Sequence, residues 1–152
     1  MKTESVAIRE CKTRLRLVRV EQEACVGEQV PVYGPKDAAG LVSGLLEHAD
    51  REHFVVLHLN GAHRVVSTEV VSVGTLTQAL IHPREVFKGA LLANAKSIIC
   101  AHNHPSGDLT PSRADRQTFD SLKSAGELLG VSMLDFLIVA GRKSWAASEH
   151  WL

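Results

Sequence analysis

A chain of 152 residues with 45% hydrophobic side chains suits one domain with a sizeable core. Its 17 basic and 17 acidic side chains cancel, so no global field favours DNA, RNA or an anionic membrane, and strong nucleic-acid binding is not expected. With no signal peptide and no long apolar run, the expectation is a cytoplasmic protein that does not engage a membrane. Cys11, Cys25 and Cys100 form an odd, scattered set without a Cys-x-x-Cys pair, which indicates neither a disulfide framework nor a thiolate zinc site. Cys100 sits in an apolar run and reads as a small buried hydrophobe.

In chain order, residues 1–9 carry no clear pattern and read as an arm. Lys12 to Val20 alternates basic and apolar, as a half-buried strand does. Its basic row, Lys12, Arg14 and Arg16, could touch nucleic acid or an acidic partner. The preferred reading is a solvated edge strand whose charges discourage edge pairing. Glu21 to Tyr33 is connection, with Gly27 and Pro31 as breakers. Gly34-Pro35-Lys36-Asp37 opens a helix running to about His48, with Ala38, Ala39, Val42, Leu45 and Leu46 at helical spacing. Glu52 to Leu59 reads as a strand, Asn60-Gly61 as a hairpin turn, and His63 to Val73 as the returning strand. After a connection from Gly74 to Ile81, a second helix runs from Pro83 to about Asn94, with Val86, Phe87, Ala90 and Leu91 on the core side.

Ser97 to Ala101 then reads as a buried strand. A third helix is expected over Pro111–Leu129, with Thr110 as N-cap, Pro111 at the first helical position and Gly130 as the stop. Val131 to Ala140 is a strand, Gly141-Arg142 a turn, and Lys143 to Ala147 a last short strand. These elements make an α/β fold, a mixed sheet flanked by helices.

Chemistry concentrates between Ala101 and Asp115. Side chains on a strand alternate, so His102 and His104 point to one side and can grip a divalent metal. Ser112 and Asp115 lie one helical turn apart, and Asp115 can reach back to the same point. Two histidines and an aspartate leave a fourth tetrahedral position to water, the pattern of a catalytic zinc site. Ser112-x-x-Asp115 also fits a plain capping box with Ser112 as the cap. Asp108 competes as a ligand, although loop hydrogen bonding suits it better. Among the remaining histidines, His58 and His63 flank the hairpin as surface or half-buried residues, His82 caps or packs, and His48, His53 and His150 have no partner spacing.

His102-Asn103-His104-Pro105, with seven residues between His104 and Ser112, and then Asp115 resemble the JAMM (MPN+) zinc metalloprotease motif. The string from Ala101 to Asp108, with His82-Pro83-Arg84-Glu85-Val86 upstream, looks like the bacterial RadC (JAB domain) subgroup. The similarity runs from about Pro35 to the C-terminus. It implies a cytidine-deaminase-like α-β-α sandwich over 35–152, with 1–34 as an N-terminal arm and edge strand of the same domain. Full-length RadC proteins usually carry a helix-hairpin-helix region, so this chain resembles the short, single-domain members.

The resemblance also implies one zinc per chain on His102, His104 and Asp115, and hydrolysis of an amide bond. A general base is then needed, and Glu52, Glu69 and Glu85 are the candidates. Glu85 sits in a helix first turn, where the dipole alone explains a carboxylate. Glu69 lies mid-strand and could simply face solvent. Glu52 stands at the strand start where JAMM proteases place their catalytic glutamate, so the resemblance assigns it as base. Ser112 would then stabilise the oxyanion. The partner implied is a peptide or isopeptide substrate of unknown identity, and the oligomeric state stays open. Two other classes remain: a DNA repair or mobile-element accessory of the RadC group, and a non-catalytic metal-binding interaction module.

Overall fold

The computed structural model describes residues 29–46, 48–74 and 81–152. The arm at 1–9, the basic strand from Lys12 to Val20 and most of the connection after Gly74 lie outside the described residues.

Helix α1 (Pro35–Leu45) precedes the hairpin of β1 (His53–Leu59) and β2 (Val65–Val73). Helix α2 (Pro83–Leu92), strand β3 (Ser97–Asn103), helix α3 (Arg113–Leu129), strand β4 (Ser132–Ala140) and strand β5 (Lys143–Ala146) follow, and a 3-10 turn, Ala147–Glu149, comes near the end. The strands form one sheet in the order β2-β1-β3-β4-β5. Only β3 and β4 run parallel, and α3 supplies the crossover that such a pair requires. The expected mixed sheet flanked by helices is therefore the observed fold.

Both faces of the sheet are covered. Alternate residues of β1 and β3, Val55, Leu57, Ile99 and Ala101, pack with Ala38, Ala39 and Val42 of α1. The other alternation, Phe54, Val56, Ile98 and Cys100, packs with Val86 and Phe87 of α2 and with Phe119 and Leu122 of α3. Every residue of β3 is buried. Each fully buried Phe, Leu or Ile contributes roughly 1.5–3 kcal/mol of transfer free energy, so burial holds β3 firmly in place. Cys100 is buried as expected, and burial pushes its thiol pKa well up.

Several boundaries differ from the expectation. Leu45 and Leu91 are 55% and 54% exposed, because three positions per helix already face the sheet. The hairpin does not close as a two-residue Asn-Gly turn. The Asn60 side chain accepts from the backbone N–H groups of Ala62 and Arg64, and the left-handed residue is His63 at φ 55°. Helix α3 begins at Arg113 and not at Pro111. Its N-cap is Ser112, which leaves Thr110 and Pro111 outside the helix. Gly130 ends it at φ 70°, as expected.

Candidate metal centre

The C-terminal end of β3 and the N-terminal end of α3 meet at the candidate site. His102 is wholly buried, stacked on Phe54 of β1 with ring planes 11° apart and met edge-on by Phe136 of β4. His104, two residues on, turns to the same side, and its Nε2 lies 3.0 Å from Nε2 of His102. Asp115 is the third helical residue of α3 and is 5% exposed. Its Oδ1 stands 3.1 Å from Nε2 of His102, and its Oδ2 stands 3.9 Å from Nε2 of His104.

The capping box and the aspartate's reach towards the histidines occur together. The Ser112 hydroxyl accepts from the Asp115 N–H at 3.1 Å, while Asp115 Oδ2 accepts from the Ser112 N–H at 2.6 Å and from its hydroxyl at 2.8 Å. Those bonds occupy Oδ2 and aim Oδ1 at His102. Burial opposes the charge on Asp115. The hydrogen bond and charge of His102, with the Ser112 N–H and hydroxyl, more than offset it and hold the carboxyl down at about 2.

His104 Nδ1 lies 2.6 Å from the carbonyl oxygen of Asp108. A carbonyl only accepts, so Nδ1 carries a proton, which leaves Nε2 as the nitrogen that can serve as a ligand. The side chain of Asp108 turns elsewhere, accepting from the Thr110 N–H at 2.9 Å. Asp108 therefore acts at the site through its backbone, which no residue-type pattern could have revealed.

These three side chains suit a divalent metal. Their ligand atoms all lie within 4.8 Å of one another. A tetrahedral ion with metal–ligand bonds of about 2.0–2.1 Å has ligand–ligand edges of about 3.3 Å. With Oδ1 as the aspartate's ligand atom, its 3.1 Å to His102 Nε2 and the 3.0 Å between the two imidazole nitrogens lie close to that edge. Two imidazoles and a carboxylate are also the donor chemistry that zinc takes in open sites.

Glu52 comes to the same place from just before β1. Phe54 pairs with His102 at the end of the antiparallel β1–β3 ladder, and Glu52 lies two residues before Phe54. Glu52, His104, Ser112 and Asp115 together line a cavity of about 250 Å³. The other two glutamates lie elsewhere. Glu85 is in the first turn of α2, paired with Lys88 at 2.8 Å and Arg84 at 3.5 Å. Glu69 does not simply face solvent: its Oε2 is buried between His58 and the backbone of Gly89. His58, expected at the surface or half-buried, is 2% exposed, because β1 is covered on both faces. His82 caps α2 by accepting from the Arg84 N–H.

One residue at this end of the sheet was quoted in the motif but given no role. Asn103, between the two histidines, is 8% exposed and bridges to β1. Its Oδ1 accepts from the His53 N–H at 2.7 Å, and its Nδ2 donates to the Arg51 carbonyl at 3.0 Å. The available signal was an asparagine, a residue depleted from strands, closing an otherwise apolar strand.

A family model described as RadC-like JAB domain matches residues 32–150. The chain belongs to the RadC-like JAB domain family. A UPF0758 protein of Rubrobacter xylanophilus is 45% identical over 119 residues, covering 78% of this chain and 52% of that protein. One from Chlorobaculum parvum is 47% identical over 121 residues, covering 80% and 54%. One from Chlorobaculum tepidum is 39% identical over 146 residues, covering 96% and 63%. The chain thus spans about half to three-fifths of the length of these curated relatives. The family suggests a JAMM-type metallohydrolase or RadC-group protein, and a His102/His104/Asp115 group could hold its metal ion. Among the described residues, no helix is long and apolar enough to cross a membrane.

Proposed function

We propose that the chain is a zinc-dependent metallopeptidase that hydrolyses a peptide or isopeptide amide bond. In this reading His102, His104 and Asp115 hold the metal, Glu52 is the general base and Ser112 donates a hydrogen bond to the attacked carbonyl. The observation that carries it is the convergence of three ligand atoms beside a cavity that takes in a further carboxylate, Glu52.

When bound, zinc supplies a Lewis acid and brings the pKa of water to about 7. Glu52 accepts the proton at a carboxylate oxygen and returns it to the leaving nitrogen. Asp115 stays anionic across the working pH range, because its carboxyl is held down at about 2. Asp108, through its carbonyl, keeps His104 in the tautomer that leaves Nε2 unprotonated. The Ser112 hydroxyl points at Asp115 Oδ2 and turns from it to meet the developing oxyanion. A donor in that role is worth about 2.7–4 kcal/mol in well-studied hydrolases.

A cavity of about 510 Å³ adjoins the site on the α1 side and shares His104 with the first cavity of about 250 Å³. An extended chain therefore has room on both sides of the triad, which supports a peptide over a compact small molecule. The balanced charge supports a protein that acts without nucleic acid.

The test is a screen of peptide and isopeptide substrates with zinc-loaded protein, followed by two variants. Glu52→Gln should keep its zinc and its melting temperature and lose hydrolysis by about 10²–10⁴-fold. Glu85→Gln should keep its rate. A fully active Glu52→Gln beside a dead, zinc-loaded Glu85→Gln would reverse the base assignment.

A further inference from the structure

We infer that Asn103 is a positioning residue that sets the Glu52 carboxylate against the metal-ligand triad. The inference rests on the reading of Glu52 as general base and extends it to a residue that touches neither metal nor substrate.

Glu52 lies one residue before β1, outside the regular ladder, where a strand end would fray. Its backbone is nevertheless held on both sides. Ahead of it, the Arg51 carbonyl accepts from Asn103 Nδ2 at 3.0 Å and stands 2.9 Å from Nδ1 of His53. Behind it, the His53 N–H donates to Asn103 Oδ1 at 2.7 Å. Its own carbonyl accepts from the Gly74 N–H at 2.8 Å. One amide side chain thus clamps both peptide groups that flank Glu52, with its donor and its acceptor on separate atoms.

The clamp comes from the strand that carries the ligands. Asn103 lies between His102 and His104, and strand alternation sends its side chain to the opposite side from theirs. There it lines the larger, α1-side cavity, while Glu52 lines the smaller one beside the triad. Base and ligands are therefore referred to one three-residue unit, His102-Asn103-His104, at the C-terminal end of the buried strand β3. A base placed about 1 Å off its mark can lose some 10²-fold in rate, so the position needs such a support.

Acetohydroxamate is the probe. It chelates an open metal site through two oxygens and puts one of them where the attacking water would stand, within reach of Glu52. Its dissociation constant is measured by calorimetry on zinc-loaded wild type, Glu52→Gln, Asn103→Ala and the double variant, with zinc content determined for each. Losing or misplacing a charge-assisted hydrogen bond should weaken binding about tenfold in each single variant. The double variant should bind no more weakly than Glu52→Gln alone, with zinc content unchanged throughout. Ser148→Ala, which removes a side-chain hydrogen bond to Asp135 away from the site, controls for general loosening and should bind the probe as wild type does.

Asn103→Asp keeps the acceptor for the His53 N–H and loses the donor to the Arg51 carbonyl, so it should fall between wild type and Asn103→Ala. Wild-type affinity in Asn103→Ala, or additive losses in the double variant, would overturn the inference while leaving Glu52 as base. Unchanged affinity in Glu52→Gln would overturn both. Loss of fold in both Asn103 variants would make the residue structural and would also overturn it.

Discussion

Two buried histidines sit on one face of the same sheet, and they are built differently. His102 and His58 both project from the face that packs on α2 and α3, near opposite ends of the β1–β3 pair. At the His102 end, three ligand atoms converge, and Asp108 and Ser112 orient two of the contributing side chains. At the His58 end, Nδ1 meets the Ser67 hydroxyl at 2.8 Å, while Nε2 stands 3.9 Å from Glu69 Oε2. Neither of those last two atoms has a hydrogen-bond partner among the described residues.

The electrostatics diverge accordingly. Asp115 keeps its charge despite burial because donors surround it. Burial pushes the His58 pKa down to about 4, and burial likewise pushes the Glu69 carboxyl up. A buried histidine beside a carboxylate is therefore not enough to make a metal centre. The His102 end adds a second imidazole and neighbours that fix the direction of each donor.

The comparison breaks most visibly at Asp115. Asp115→Ala removes a proposed ligand and half of the α3 capping box at once. Zinc content should fall to background, and thermal stability should drop by the metal's binding contribution together with about 1 kcal/mol for the cap. Retention of full zinc occupancy by this variant would equate the two histidine ends. Elemental analysis and a melting curve read both effects.

The second contrast is with pH. Between about pH 6.5 and 4, His58 is protonated in the unfolded chain and neutral in the folded one. Stability should therefore fall as pH drops through that window, by up to about 3 kcal/mol for a shift from 6.5 to about 4. Glu69, with its carboxyl raised, runs the other way and reduces the slope. Urea denaturation at pH 5 and pH 7 should show a smaller difference for His58→Gln than for wild type. An equal difference in the two proteins would mean that His58 is not desolvated.

The smallest expected effect is at Gly89. A Cβ there would collide with the Glu69 carboxyl and lie 3.1 Å from the His58 ring, so Gly89→Ala should evict Glu69 into solvent. Alanine's helix propensity returns about 1 kcal/mol, so the net change should stay within about 1 kcal/mol and zinc content should not move. A large loss of stability would show that the His58–Glu69 pair matters more than its geometry indicates.

The sequence exposed the two ends unequally. His102, His104 and Asp115 were legible because they depend only on strand alternation and on a helix starting nearby. The helix start is less legible. Thr110-Pro111 and Ser112 both offer N-caps, and the reciprocal bond from Asp115 at the third helical position decides for Ser112. Glu52 is legible only through family resemblance, since its place in the cavity beside His104 depends on how β1 pairs with β3. The Asn103 bridges are hidden for the same reason, as their partners lie 50 and 52 residues away. The burial of His58 is not legible in the sequence because hairpin strands usually keep one wet face, whereas β1 is an interior strand covered on both sides.

Metal content tests the central claim most directly. The protein should be purified without exposure to chelator, shown to be folded, and analysed for metals alongside His104→Ala. The account predicts about one zinc per chain in the wild type and a large loss in the variant. A folded wild-type sample without zinc, or a His104→Ala sample with as much zinc as wild type, would contradict it.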